Sequence, residues 1–392
     1  MTVIQNISTQ CIHSGEIKDS LGSPSMPLYD TTTFHFHSTA HLLDVIEGND
    51  NGYLYTRYGM NPSIKALESK LAVLDEAEQS LAFCSGMAAI SALFLAYGRQ
   101  DIICIGDVYG GTLQLLTQQL PSLGITVNFV ETDKLDKFEI LLKEGAGLVF
   151  FETPANPTLN VLDIAAISEA VHRYNALLAV DNTFASPVNQ KPLVLGADFS
   201  LQSATKFLGG HSDLTAGVIS GRAEHLNEVD TWRKNLGQTI APEIAHKLSR
   251  SLGTLSLRIA RHNENALAIA QYLDGHPFIK KVFYPGLMHS KNHDIAKRQM
   301  SGFGGMLSFE VDGTGESATR LVDNLRLFTL APSLGGVESL VTQPVTTSHH
   351  GMSHEQLLHC GITDAMVRLS IGVEGLSDLI DDLEQALDKL KL

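Results

Sequence analysis

Lys206 lies in Ser200-Leu-Gln-Ser-Ala-Thr-Lys-Phe-Leu-Gly-Gly-His-Ser-Asp213, a stretch otherwise poor in charge. An amine held in a confined, weakly solvated place has a lowered pKa, so it can act as a neutral nucleophile and form an imine with an aldehyde. The hydroxyls of Ser203 and Thr205 just before it could hold a phosphate, and Gly209-Gly210 follows it. Imine lysine and phosphate cup are two of the three parts that pyridoxal phosphate (PLP) needs, the third being a carboxylate for its ring nitrogen. Taken alone, the stretch has a plainer reading as a loop lysine with small neighbours.

Asp181 offers the third part. It closes the apolar run Leu177-Leu-Ala-Val, and a carboxylate buried at that depth must be paired or hydrogen-bonded. A protonated pyridinium nitrogen would satisfy it; capping of the next turn is the alternative. Ser85-Gly86-Met87-Ala88-Ala89 reads as a helix N-terminus, whose free amides favour an anion, or as an ordinary N-cap. Arg368 stands among Val367, Leu369 and Ile371. A guanidinium there suits a substrate carboxylate, with a surface ion pair as the other possibility.

These residues need a scaffold, and the pattern between 100 and 220 supplies one. Short apolar runs (Ile102 to Ile105, Ile125 to Val130, Leu148 to Phe151, Leu177 to Val180, Leu214 to Ser220) alternate with amphipathic segments such as Ile164 to Tyr174. That order predicts an α/β fold with a largely parallel sheet covered on both faces. Ligands of such sheets bind beyond the carboxyl ends of the strands, where this chain puts Asp107, Tyr109, Glu152 to Thr158, and Asp181 to Thr183. Asn61-Pro62 starts a helix running to about Ala77, with Ile64, Leu67, Leu71 and Leu74 on one face. Residues 1–60 read as an extended arm with local turns, carrying Tyr53, Tyr55, Arg57 and Tyr58 near its end, for which a neighbouring subunit is the expected support. Residues 221–275 turn helical. Beyond them Gly305 to Val311 and Met366 to Ile371 read as strands, and Ser317 to Leu327 and Leu376 to Leu390 as helices. The expected division is an arm (1–60), a large domain (61–250) and a smaller C-terminal α/β domain (251–392).

Composition narrows the function. A chain of 392 residues with a formal charge of −15 can bury a sizeable core but lacks the cationic excess that nucleic acid or anionic membrane demands. A small-molecule enzyme fits better. Cys11, Cys84, Cys104 and Cys360 show no metal-ligand spacing, and the longest nearly apolar stretch, Ala88 to Tyr97, is too short to span a bilayer. A cytoplasmic protein without a metal is expected. His354-Glu355-Gln-Leu-Leu-His359 resembles a zinc-protease helix, but its second histidine comes one residue late. His349, His350 and His354 lack a cysteine or carboxylate cluster nearby, and no Walker loop or Gly-x-Gly-x-x-Gly fingerprint is present.

Longer motifs in a fixed order complete the picture. They are Tyr55-Thr-Arg57-Tyr-Gly, Ser85-Gly-Met-Ala, Asp107-Val-Tyr-Gly-Gly-Thr112, Glu152-Thr-Pro-Ala-Asn-Pro-Thr158, Val180-Asp-Asn-Thr-Phe184, Ser203-Ala-Thr-Lys206, Gly210-His-Ser-Asp213, Ser333-Leu-Gly-Gly-Val-Glu-Ser-Leu340 and Val367-Arg-Leu-Ser370. With them the chain resembles, over nearly its whole length, the transsulfuration or Cys/Met-metabolism family of PLP enzymes. The resemblance implies PLP fold type I, the aspartate aminotransferase-like fold, usually as a homotetramer of two active dimers. By matching motif, Lys206 would bind the cofactor as an imine and then carry protons between substrate carbons. Asp181 would hold the ring nitrogen. The Gly86 and Met87 amides, Ser203 and Thr205 would hold the phosphate, joined by Tyr55 and Arg57 from the partner subunit. Tyr109 would stack on the ring and help in proton transfer. Asn156, Ser333 and Arg368 would lie near the cofactor hydroxyl and the substrate α-carboxylate.

The implied reaction is γ-elimination or γ-replacement on a sulfur-containing or homoserine-derived L-amino acid, of the cystathionine γ-lyase or γ-synthase type. The Gly-Gly-Val-Glu-Ser-Leu run, and Gly111 where typical methionine γ-lyases have cysteine, favour that group. Pro332 stands where many of its members have an acid, and Gln114 where they often have an arginine; Met60 is an insertion, and Thr347-Ser-His349 replaces Met-Thr-His. These departures leave methionine γ-lyase or O-acylhomoserine sulfhydrylase activity on a smaller γ-substituted amino acid as the alternative. An aminotransferase on the same fold is a rival that the family motifs disfavour, and a catalytically silent PLP-binding or assembly protein is one disfavoured by the presence of Lys206, Asp181 and Tyr109.

Overall fold

The computed structural model describes residues 6–132, 135–347, 350, 357 and 360–391. Strands β1 (Gln79–Phe83), β2 (Ile102–Ile105), β3 (Val127–Val130), β4 (Leu148–Glu152), β5 (Leu177–Asp181), β6 (Phe199–Gln202) and β7 (Gly217–Gly221) form a seven-stranded sheet in the order β1-β7-β6-β5-β4-β2-β3. The five strands from β3 to β6 are parallel, and β7 runs antiparallel to both β6 and β1. Every residue of β2 and β4 is buried because helices cover both faces. Alternation within the strands sorts their side chains. Ile103, Ile105, Val149, Phe151, Leu178 and Val180 join one apolar cluster, while Ile102, Cys104, Leu148, Phe150 and Ala179 join another.

A second sheet follows: β8 (Ile279–Phe283), β9 (Met306–Val311), β10 (Thr329–Leu330), β11 (Leu340–Thr342) and β12 (Met366–Ser370), ordered β10-β11-β12-β9-β8. One apolar cluster links the two regions, running from Ile64, Leu67 and Leu71 through Phe207 and Leu208 to Leu307, Phe309 and Leu369. Helix Leu255–Asp274, twenty residues long, packs into that cluster through Ile259, Ala266, Ile269 and Leu273.

The helix expected from Asn61-Pro62 spans Pro62–Asp75, with the Asn61 side chain accepting from the Ser63 amide at 2.9 Å. Glu76, at φ 54°, stops it short of Ala77. Residues 6–60 are less extended than their sequence implies, since they contain helices Ile7–His13 and Thr39–Glu47. Each is capped by a side chain, Asn6 and Ser38 respectively, but is too brief for its periodicity to stand out. Strand β6 was hidden too. Two of its four residues are Ser200 and Gln202, which are buried in spite of being polar.

Candidate active site

The carboxyl ends of β4, β5 and β6 open into a cavity of about 590 Å³. Glu152 and Asp181 end adjacent parallel strands and are paired in register. The Asp181 carboxylate accepts from the Thr183 amide (2.9 Å) and hydroxyl (2.5 Å), and the Thr183 hydroxyl accepts from the Ser203 amide at 2.8 Å. Strand β5 and the lysine turn are therefore locked together. That turn closes on itself, with the Lys206 amide donating to the Ser203 carbonyl and the Gly210 amide to the Lys206 carbonyl. Thr205 is held by the Ala216 backbone, which donates to its hydroxyl at 3.1 Å.

Across the cavity Ser333 links two cations. Lys206 Nζ donates to the Ser333 hydroxyl at 3.1 Å, and the Arg368 guanidinium donates to the Ser333 carbonyl at 3.2 Å. Arg368 also donates to Asn156 Oδ1 at 2.8 Å. At 6% exposure it is no surface ion-pair residue. Helix Gly86–Tyr97 begins at the same cavity, capped by Ser85, with no acidic residue in its first turn. A Cβ on Gly86 would lie 2.8 Å from that of Ser203, so only glycine lets the helix start approach the lysine turn this closely. Tyr109 lies at the mouth, half exposed, its amide donating to Glu152 Oε1 at 2.6 Å.

Gly86, Met87, Tyr109, Asn156, Asp181, Ser203, Thr205, Lys206, Ser333 and Arg368 thus line one cavity. Tyr55 and Arg57 do not. Arg57 is exposed, stacks over the Tyr58 ring at 4.7 Å and donates to the Lys234 carbonyl at 2.6 Å. Gln114 is exposed as well, bonded to Gln118 and outside the lining, whereas Pro332 is part of it. His349, His354 and His359 lie outside the described residues.

Burial, and secondarily the positive charge of Arg368, lowers the Lys206 amine to about 8. Burial alone lowers Arg368 to about 10. Asp181 and Glu152 are both pushed up by burial. Glu152 rises well above the usual carboxylate range, first through burial and then through the charge of Asp181 beside it. Two carboxylates sharing one dry floor cannot both ionise, so Glu152 keeps the proton and Asp181, with two bonds from Thr183, carries the charge.

Comparison with known proteins converges on one group. The family model for the Cys/Met metabolism PLP-dependent enzyme matches residues 8–388. The chain belongs to that family. It is 42% identical over 388 residues to a cystathionine beta-lyase of Lactococcus lactis subsp. cremoris, covering 98% of this chain and 99% of that one. It is 40% identical over 389 residues to an L-methionine gamma-lyase of Fusobacterium nucleatum subsp. nucleatum, covering 98% of each. Among solved structures, a cystathionine gamma synthase from Xanthomonas oryzae pv. oryzae in complex with cystathionine superposes with a TM-score of 0.93 at 37% identity, covering 99% of each chain. The fold is that of the PLP-dependent transsulfuration enzymes, and the chain is a PLP-dependent enzyme of carbon–sulfur chemistry.

The residues present fit PLP. A lysine with a lowered pKa, a charged carboxylate on the floor, and a helix N-terminus flanked by Ser203 and Thr205 face one space. Glu152 and Thr183, which the sequence places at the ligand-binding ends of their strands without a role, line the cavity too. Glu152 shares the signal of Asp181, an acid closing an apolar run.

Proposed function

We propose that Lys206 holds PLP as an imine, Asp181 holds its ring nitrogen, and the Gly86 and Met87 amides with Ser203 and Thr205 hold its phosphate. Tyr109 stacks on the ring, Asn156 lies beside the ring hydroxyl, and Arg368 with Ser333 takes the substrate α-carboxylate. One observation carries this reading. Ser333 accepts from both Lys206 and Arg368, so an amino acid gripped by the guanidinium has its α-carbon next to the amine.

PLP, when bound, supplies an electron sink that acidifies the hydrogens α and β to the substrate nitrogen. Lys206 Nζ, a neutral base above about pH 8, removes the α-proton and a β-proton in turn, Tyr109 takes part in proton transfer, and the γ-substituent departs. Asp181 stays charged because Glu152 holds the neighbouring proton. In elimination the departing group and the γ-carbon take up the two protons, and hydrolysis gives a 2-oxo acid and ammonia. In replacement a thiol sulfur bonds to the γ-carbon, its proton leaves with the departing group, and the two protons return to the β- and α-carbons, giving a thioether.

The reaction is γ-elimination or γ-replacement on a cystathionine-type substrate. A second reading, an uncharged γ-substituted amino acid such as methionine or an O-acylhomoserine, draws support from the lining. Among the described residues it has one guanidinium, which the α-carboxylate occupies, while Pro332, Leu334, Thr346 and Thr347 are uncharged. The division into arm (1–60), cofactor domain (61–250) and C-terminal domain (251–392) belongs to this proposal. So does a cytoplasmic homotetramer in which Tyr55 and Arg57, absent from their own cavity, reach the phosphate of a partner.

The test is turnover of L-cystathionine, L-methionine and O-acyl-L-homoserine, the last with and without L-cysteine, followed by 2-oxo acid and thioether. Fastest turnover of cystathionine, or formation of cystathionine from acylhomoserine and cysteine, supports the first reading. Fastest turnover of methionine, or of acylhomoserine without cysteine, with cystathionine inert, supports the second. Inertness of all three with PLP bound refutes both.

A further inference from the structure

Arg258, His262 and Asn265 lie on one face of helix Leu255–Asp274, at spacing i, i+4, i+7, and their exposures are 6%, 0% and 0%. Buried polar side chains on one stripe need partners, and the donors of all three reach backbone carbonyls, while His262 Nε2 and Asn265 Oδ1 have no hydrogen-bond partner among the described residues. Arg258 donates to the carbonyls of Phe207 (2.6 Å), Leu208 (3.3 Å) and Ser251 (3.0 Å), and its Nε donates to the Thr254 hydroxyl at 3.1 Å. Phe207 and Leu208 directly follow Lys206. His262 Nδ1 meets the Ile371 carbonyl at 2.6 Å, which makes Nδ1 the protonated nitrogen. Burial holds this ring neutral, at a pKa of about 4, and it packs edge-on against Phe207 with centroids 5.2 Å apart. Asn265 donates to the carbonyls of Gly372 (3.1 Å) and Glu374 (3.0 Å). These carbonyls continue the chain of β12, which carries Arg368.

None of the three residues lines the cavity. Arg258 has no carboxylate partner among the described residues, so a buried cation is spent on three carbonyls and one hydroxyl. The turn is shaped to receive it. Gly210 adopts φ +66°, and a Cβ there would lie 2.0 Å from Arg258 Nη1. A buried charge without a counter-ion is poorly suited to adding stability and well suited to fixing one arrangement of the chain it grips. Cross-links between the lysine turn, the Ser333 loop and β12 complete a frame, with the Val337 amide donating to the Gly210 carbonyl and the Gly335 amide to the Ser370 hydroxyl.

We propose that this helix face is a spacer that sets the separation of Lys206 from Arg368, Arg258 fixing the lysine turn and Asn265, with His262 between them, fixing the end of the arginine strand. The inference rests on the reading of Lys206 as the imine lysine and Arg368 as the carboxylate site. All three are positioning residues, and their two ends act on different steps. Disturbing Arg258 misplaces the base, whereas disturbing Asn265 misplaces the carboxylate grip.

The experiment compares holoenzymes carrying Arg258→Met, Arg258→Lys and Asn265→Ala by kcat, KM, thermal melting and pH titration of the imine absorbance near about 420 nm. Lys206→Ala is the control: if the band survives in it, the reading of the site fails before the spacer is tested. With that control satisfied, Arg258→Met is expected to lower kcat about 10- to 100-fold and to shift the band's titration, with KM within about threefold. Arg258→Lys should restore part of kcat. Asn265→Ala should raise KM about tenfold while leaving the band's titration as in the parent. If Arg258→Met does not fold, Arg258→Lys is judged alone, by lowered kcat at unchanged KM. The spacer is refuted if the variants lower the melting temperature while kcat, KM and titration stay as in the parent, or if both ends alter the same constant.

Discussion

Asp181 and Glu152 on the seven-stranded sheet and Arg368 on the five-stranded sheet face one cavity from opposite sides, and each charge is held differently. Asp181 takes its bonds from Thr183, two residues away, and Glu152 takes its bond from the Tyr109 amide at the end of the next parallel strand's loop. Arg368 is gripped by Asn156, 212 positions away in the chain, and by the Ser333 carbonyl. The side proposed to hold the cofactor is thus assembled at neighbouring strand ends within one sheet. The substrate side exists only when the two sheets are docked. Neighbouring strand ends fix a floor on which Glu152 keeps the proton and Asp181 the charge, while contacts between the sheets make a cation available to substrate with a residual bond to give up. Elimination chemistry needs both, a firm acceptor for the ring nitrogen and a carboxylate site registered to the base.

Substitutions separate the two ways in which charge is held. Lys206→Ala, at the meeting point of both sides, should lower turnover by more than about 10³-fold, since it removes both the imine and the proton carrier. Steady-state assay of the PLP-supplied variant checks this. Arg368→Lys keeps the charge but loses the planar fork, and should raise KM about 10- to 100-fold, corresponding to about 1.5–3 kcal/mol for hydrogen bonds to a charged group. Its melting temperature with PLP bound should remain near the parent's, because the floor does not depend on it. Glu152→Gln tests the assigned proton. A protonated Glu152 and a glutamine have equal charge and both accept from the Tyr109 amide, so kcat should stay within about threefold of the parent. A large loss would show Glu152 working as an anion.

The smallest effect concerns Asp75, beneath the floor. It is buried and bonded to Ser220 (2.6 Å) and Gln202 (3.2 Å), and burial raises it from 3.8 to about 6. The folded state therefore keeps a proton that the unfolded state releases, so this group's contribution to stability falls as pH rises from about 4 to 6 and is constant above. Asp75→Asn removes that dependence. Melting temperatures of variant and parent should diverge in the variant's favour over that interval, by an equivalent of about 2–3 kcal/mol. A difference independent of pH would contradict the assignment.

The same contrast governs what could be read from the sequence. Lys206, Asp181 and the Ser85-Gly86 helix start were legible because each is a local pattern, an amine among hydroxyls, an acid closing an apolar run, a cap before a helix. Arg368 could be read either as a carboxylate site or as an ion pair, because its burial depends on Asn156 and on the other sheet. Arg258, His262 and Asn265 left no signal, since polar residues at helical spacing look like a solvated face until the carbonyls they serve are seen. Strand β6 was missed for a related reason: Ser200 and Gln202 are buried polar residues, and Gln202 is reconciled to burial by Asp75. Local chemistry is written in neighbouring residues; long-range chemistry waits for the fold.

The assignment of Lys206 is tested most directly by reduction of the PLP-loaded protein with borohydride, followed by peptide mass analysis for the phosphopyridoxyl group. The label is expected on Lys206 alone. A label on another lysine, or none in protein shown to have bound PLP, would contradict it.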